Sequence, residues 1–115
     1  MTSKVRVYME ICDRVSAVEV TDQKDGTYAV KVKTACPNVR EFTTGLEILN
    51  LIDLTDKRNS RVFERMRESK MSANCLFPAG LLSAAWLEAG LIAKSRAKDK
   101  KGNRIEFIFN EDNEG

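Results

Sequence analysis

Alternation of apolar and polar residues predicts three strands in the first third of the chain. Residues 5–9 alternate between apolar and polar or charged side chains, which is the period of a half-buried strand. Two further runs, 15–20 and 28–33, flank a polar segment whose Asp25-Gly26 step supplies the positive φ of a tight turn. These two runs therefore predict a β-hairpin that follows the first strand.

Helical spacing replaces this alternation in the middle of the chain. Pro37 suits the first position of a helix, and apolar residues recur from there to Ile52 at helical spacing. Gly45 weakens such a helix by about 1 kcal/mol relative to Ala, which indicates a close packing contact. Asn59 or Ser60 can cap a second, shorter helix.

A third helix is predicted from Pro78 to about residue 89, with Gly90 as its C-terminal stop. It is apolar nearly all round, and a helix of that kind is buried. We expect Leu82 and Trp86 to pack against the sheet. Glu88 is the one ionisable residue of this helix, and we expect it at an exposed helix end, because charged side chains are rarely fully buried.

The last third begins with a basic, turn-rich segment, residues 94–104, and returns to alternation at 105–109, where a final strand is predicted. Residues 91–97 are its expected hairpin partner. The predicted order is β-β-β-α-α-α-β, an α+β fold with a small antiparallel sheet covered by helices on one face. We expect one domain over residues 1–109 and a disordered acidic tail at 110–115.

Composition narrows the range of functions. The chain has 115 residues, which is the length of a single domain, and a net charge of +2, too small to argue for nucleic acid. The sequence contains no run of about 18 apolar residues, so it predicts no membrane span, and its first residues lack an apolar signal core. We therefore expect a cytoplasmic protein that does not bind membranes and is unlikely to bind nucleic acid.

Three cysteines and no histidine are the clearest chemical signal. Without histidine a Ser-His-Asp arrangement is impossible, and the commonest metal ligand is missing. Cys12, Cys36 and Cys75 each fall at a joint between predicted elements. Because such joints converge at one end of a small sheet, the three thiols are expected to share one site.

A shared site of three thiolates is suited to zinc or to an iron–sulfur cluster. Cys36 and Cys75 both precede proline-started helices, whose N-terminal dipoles make a thiol easier to ionise. A closed zinc site needs four ligands, so three thiolates leave one position open or filled by a carboxylate such as Asp13. The alternative is a structural or protein-interaction module, such as a homodimer, whose cysteines only fill the core.

Several sequence motifs around these residues resemble those of a family of small uncharacterised proteins from anaerobic prokaryotes. The resemblance rests on Ile11-Cys12, on Cys36-Pro37, and on Cys75 followed by the helical segment 79–91, Ala-Gly-Leu-Leu-Ser-Ala-Ala-Trp-Leu-Glu-Ala-Gly-Leu. Asp13 departs from it, since glycine is usual after the first cysteine. The resemblance implies that the three cysteines form a set, and an anaerobic setting would suit oxygen-labile thiolate chemistry.

Overall fold

The fold is built on a four-stranded antiparallel sheet whose strands lie side by side in the same order in which they follow along the chain. A computed structural model describes residues 1–109. The predicted hairpin is confirmed, with Gly26 at φ +90° in its turn. The strands are β1 (Thr2–Met9), β2 (Arg14–Asp22), β3 (Thr27–Lys33) and β4 (Ile48–Asn50).

Five helices complete the α+β architecture of the described residues. A single 3-10 turn (Glu10–Cys12) joins β1 to β2. Ser60 caps the third helix as predicted, because its hydroxyl accepts hydrogen bonds from the N–H groups of Val62 and Phe63. The helices are α1 (Pro37–Thr43), α2 (Leu51–Thr55), α3 (Arg61–Glu68), α4 (Phe77–Glu88) and α5 (Lys94–Lys100).

The prediction of one continuous helix from Pro37 to Ile52 is wrong. The helix ends at Thr43, Gly45 takes the left-handed conformation at φ +87°, and the chain then pairs with β3 as the short strand β4. Asn50 and Asp53 form a reciprocal capping box that starts α2. Val39, Phe42, Leu46 and Leu49 are buried, but Ile52 is 55% exposed, so the helical spacing does not mark one continuous buried helix face.

The prediction of a final strand at 105–109 in the sheet is also wrong. Residues 101–109 form no regular element and are exposed, and residues 94–100, part of which was predicted as a hairpin strand, are helical. The edge of the sheet beside β3 is taken by β4, so the observed order is β-β-β-α-β-α-α-α-α. The predicted acidic tail, 110–115, lies outside the described residues.

Helix α4 covers the face of the sheet formed by β1 and β2. Leu81, Ala84 and Ala85 are the fully buried residues of its inner face, whereas Leu82 and Trp86 are half-buried, so the predicted contact is displaced by one residue along the helix. Gly80 allows the close approach, because a Cβ there would overlap Cγ2 of Val7. Among the described residues, none of the helices is long and apolar enough to cross a membrane.

Candidate functional site

The three cysteines lie on three connections of the fold, as their positions in the sequence predicted. Cys12 ends the 3-10 turn between β1 and β2, and Cys36 is the residue before α1. Cys75 lies two residues before α4 begins at Phe77. All three are free thiols; Cys12 is exposed, while Cys36 and Cys75 are half-buried against the core.

The register of the sheet places the connections that carry Cys12 and Cys36 at the same end. Met9 pairs with Arg14, so β1 ends where β2 begins. Ala17 pairs with Lys33, so β3 ends beside the start of β2. The turn that carries Cys12 therefore lies close to the segment that leads from β3 into α1.

Hydrogen bonds tie these connections together on either side of the cysteines. The guanidinium of Arg14 donates to the carbonyl of Ala35 at 2.8 Å, next to Cys36. The N–H of Leu76, next to Cys75, donates to the thioether sulfur of Met9 at 3.3 Å. The start of α4 is thus fixed against the end of β1, and the third thiol joins the other two at this end of the sheet.

The pKa of the Cys75 thiol lies above its ordinary value. Burial raises this pKa, and negative charge on Cys36 and Cys12 raises it further. The expectation of an easily ionised thiol before α4 is therefore wrong for Cys75, because burial outweighs the one N–H donor, that of Phe77 at 3.5 Å.

The three connections meet at one end of the sheet, but their thiols form no ready-made ligand set within residues 1–109. In residues 1–109, no three side chains among Cys, Asp and Glu are arranged as a group that could hold a metal ion. Asp13, the carboxylate considered as a fourth ligand, follows Cys12 in the left-handed conformation at φ 55°. Coordination by all three thiols would need their side chains to be drawn closer together.

Three further residues at this end of the sheet were not identified as site residues from the sequence. Met9 brings a soft thioether sulfur next to Cys75, and Arg14 and Arg40 bring positive charge next to Cys36. The guanidinium of Arg40 donates to the carbonyl of Thr34 at 2.9 Å. A sequence signal existed only for Met9, which ends the alternating pattern of β1.

Glu88 is buried, with 8% of its surface exposed, which contradicts the expectation of an exposed helix end. Its carboxylate accepts hydrogen bonds from the hydroxyl of Ser3 and from the backbone N–H of Asp22, both at 2.9 Å. These two donors satisfy a buried carboxylate without a cation. Glu88 thus fastens the end of α4 to the sheet, at the end away from the cysteines.

An open apolar cavity of about 240 Å³ lies away from the thiols, between α2, α3 and α4. Leu54, Phe63 and Trp86 line it, and Lys57 lies on its wall. The indole N–H of Trp86 is already bonded to the carbonyl of Leu54 at 2.8 Å. With so few free polar groups, the cavity offers little to orient a ligand.

Comparison with known proteins places the chain in a family. Residues 3–100 match the model of a family described as "Family of unknown function (DUF6951)", and the chain belongs to that family. No curated protein and no solved structure matches the chain. The family match bears out the membership in an uncharacterised family that the sequence resemblance implied.

Proposed function

We propose that Cys12, Cys36 and Cys75 act together as a thiolate site for a soft metal, either a zinc ion or the iron of an iron–sulfur cluster. The observation that carries the proposal is the convergence of the three connections at one end of the sheet. The chain's only three cysteines come from segments far apart in sequence, and the connections that carry them meet at one end of the sheet. Thiolates are the ligands that zinc and iron–sulfur clusters prefer in proteins.

Two features of the surroundings support this chemistry. The N–H of Phe77 points at the sulfur of Cys75, and N–H donors to ligating sulfurs are a common feature around metal–thiolate centres. The guanidinium groups of Arg14 and Arg40 would offset the negative charge that three thiolates leave on a divalent ion. With three protein ligands, the fourth position is open to Asp13 or to an exogenous ligand.

The exposed turn of Cys12 gives the site room to close. Cys12 is solvent-exposed, so its side chain can rotate towards Cys36 and Cys75 without disturbing the core. Residues 1–109 hold no preformed ligand group, so the metal itself would have to complete the site. The anaerobic origin implied by the sequence resemblance would favour an iron–sulfur cluster over zinc.

The test is metal analysis of protein purified without oxygen, followed by titration of the metal-free protein with cobalt(II). We expect about one equivalent of metal or one cluster per chain, and a sulfur-to-cobalt charge-transfer band. Cys12→Ser, Cys36→Ser and Cys75→Ser should each lower affinity by 10-fold or more, since each removes a soft ligand. Ile11→Ala, beside Cys12 and equally exposed, is the matched control and should bind as the wild type does.

Two outcomes would contradict the proposal. The absence of a charge-transfer band with millimolar cobalt would show that the thiols do not bind metal together. A band that survives in the Cys12→Ser variant would show that Cys12 is not a ligand. In the first case the half-buried Cys36 and Cys75 are packing residues, and the protein is better described as an interaction module; in the second case these two thiols bind metal without Cys12, and the site of three thiolates is wrong.

A further inference from the structure

The segment Ile105–Phe109 is an apolar stretch that nothing covers in the described residues. Its four large apolar side chains are 60–68% exposed. No backbone hydrogen bond joins residues 102–109 to the rest of the described chain. Contiguous exposed apolar residues with unpaired backbone groups indicate a surface that a partner covers.

The sequence of this segment is that of a strand. Ile105, Phe107 and Phe109 alternate with Glu106 and Ile108, and β-branched and aromatic residues are those favoured in strands. A single strand is unstable alone, and it gains its hydrogen bonds by joining the edge of a sheet. The segment therefore needs an open edge.

Strand β1 is such an edge, because in residues 1–109 it pairs only with β2. Its eight residues leave a row of backbone groups unpaired on the outer side. On its exposed face, Lys4 forms a salt bridge with Glu19 of β2 at 3.2 Å. Arg6, one pair further along, forms no salt bridge within the described part of the chain.

We propose that residues 105–109 of one copy add as an antiparallel strand to the β1 edge of a second copy, with Glu106 opposite Arg6. In this register Phe107 lies beside Val5 and Ile105 beside Val7, on the face that α4 covers. The half-buried Val5 gains apolar cover, and Glu106, which forms an exposed salt bridge with Arg104 at 2.7 Å within its own chain, exchanges that partner for Arg6. The exchange is reciprocal, as a two-fold symmetric dimer requires.

A second copy fits better than a fold-back onto the same chain. The radius of gyration is 15.0 Å, against about 13 Å for a compact chain of this length, and residues 101–109 are exposed and lie outside every helix and strand. Lys101 at φ 74° and Gly102 at φ 157° turn the chain away from α5. Aromatic side chains bury about 150–250 Å² each, so the four phenylalanines of two exchanged segments contribute roughly 600–1,000 Å², and the four isoleucines and the covered β1 edges bring the total into the range of a specific interface.

The test is sedimentation equilibrium of the full chain under reducing conditions, which prevents disulfide-linked dimers through Cys12. We expect a dimer for the wild type. Arg6→Glu and Glu106→Arg each place like charges opposite one another twice per dimer, and should weaken it roughly 10- to 30-fold. A 1:1 mixture of the two variants should restore the dimer, because both contacts of the mixed dimer are then between opposite charges.

Matched variants keep the test decisive. Lys31→Glu, on the same sheet face but two strands from the edge, makes the same charge change and should leave the dimer intact. Phe107→Glu combined with Phe109→Glu should give a folded monomer with an unchanged circular dichroism spectrum. A monomeric wild type, single charge variants that dimerise like the wild type, or a mixture that does not restore the dimer would each overturn the proposal.

Discussion

Replacing Gly80 by Ala tests how closely α4 lies on β1. An added Cβ would overlap Cγ2 of Val7, a residue that is 6% exposed and has little space to move. Overpacking by a methyl group costs about 1–3 kcal/mol, whereas Ala instead of Gly in a helix contributes about 1 kcal/mol. Because these two contributions oppose each other, we expect the free energy of unfolding of Gly80→Ala to fall by up to about 2 kcal/mol.

Urea denaturation followed by circular dichroism measures this loss, and a double-mutant cycle identifies its cause. Val7→Ala removes the methyl groups that the new Cβ would meet. The loss of unfolding free energy in the double variant should therefore be smaller than the sum of the two single losses by about 1–2 kcal/mol. Ser83→Ala, on the same helix, controls for helix propensity alone. A Gly80→Ala variant that gains about 1 kcal/mol, with no coupling to Val7, would refute the close approach of α4 to β1.

Two further predictions concern groups that are buried and ionisable. Glu88→Gln should lower the free energy of unfolding, measured in urea, by about 1–3 kcal/mol, because the amide replaces one acceptor with a donor that faces Ser3 or the N–H of Asp22. Ser3→Ala removes only one of the two donors to Glu88 and should therefore cost less. Equal losses in the two variants would contradict this pairing. For Cys75, the raised pKa means that folding favours the neutral thiol. This contribution is fully present below the ordinary pKa of 9.0 and is lost as pH rises through the higher folded value. In thermal melts of metal-free protein, the wild type should therefore lose more stability above pH 9 than Cys75→Ala, and parallel pH profiles would show that the thiol is not perturbed.

The hairpin β2–β3 and the helix α4 could be predicted because each has one dominant local signal. Asp25-Gly26 marks the turn, and Gly90 marks the end of α4. The segment 37–52 could not, because apolar residues at helical spacing also suit a short helix followed by a strand that turns Leu49 inward. Only the pairing of β4 with β3 decides between the two, and that pairing depends on contacts far apart in sequence.

The candidate site was predictable to the same degree. That the three thiols lie at joints follows from where the strand and helix patterns stop. The direction in which α4 crosses the sheet does not follow from these patterns. This direction puts Cys75 beside the end of β1 rather than beside its start. The burial of Glu88 was missed for a related reason, because its two donors belong to β1 and β2 and leave no trace near residue 88.

The hydrogen bonds of α4 also bear on how the chain folds during synthesis. Glu88 is bonded to Ser3, 85 positions earlier, and Leu76 to Met9, 67 positions earlier. A ribosome adds about 5–20 residues per second, so the 66 positions between Asp22 and Glu88 take roughly 3–13 s to appear. Throughout that time Val7, Val18 and Val20 belong to a sheet face without its helix. The nascent chain therefore passes through a stage in which these three valines are available to other proteins, and chaperones that bind apolar segments have their clearest opportunity then.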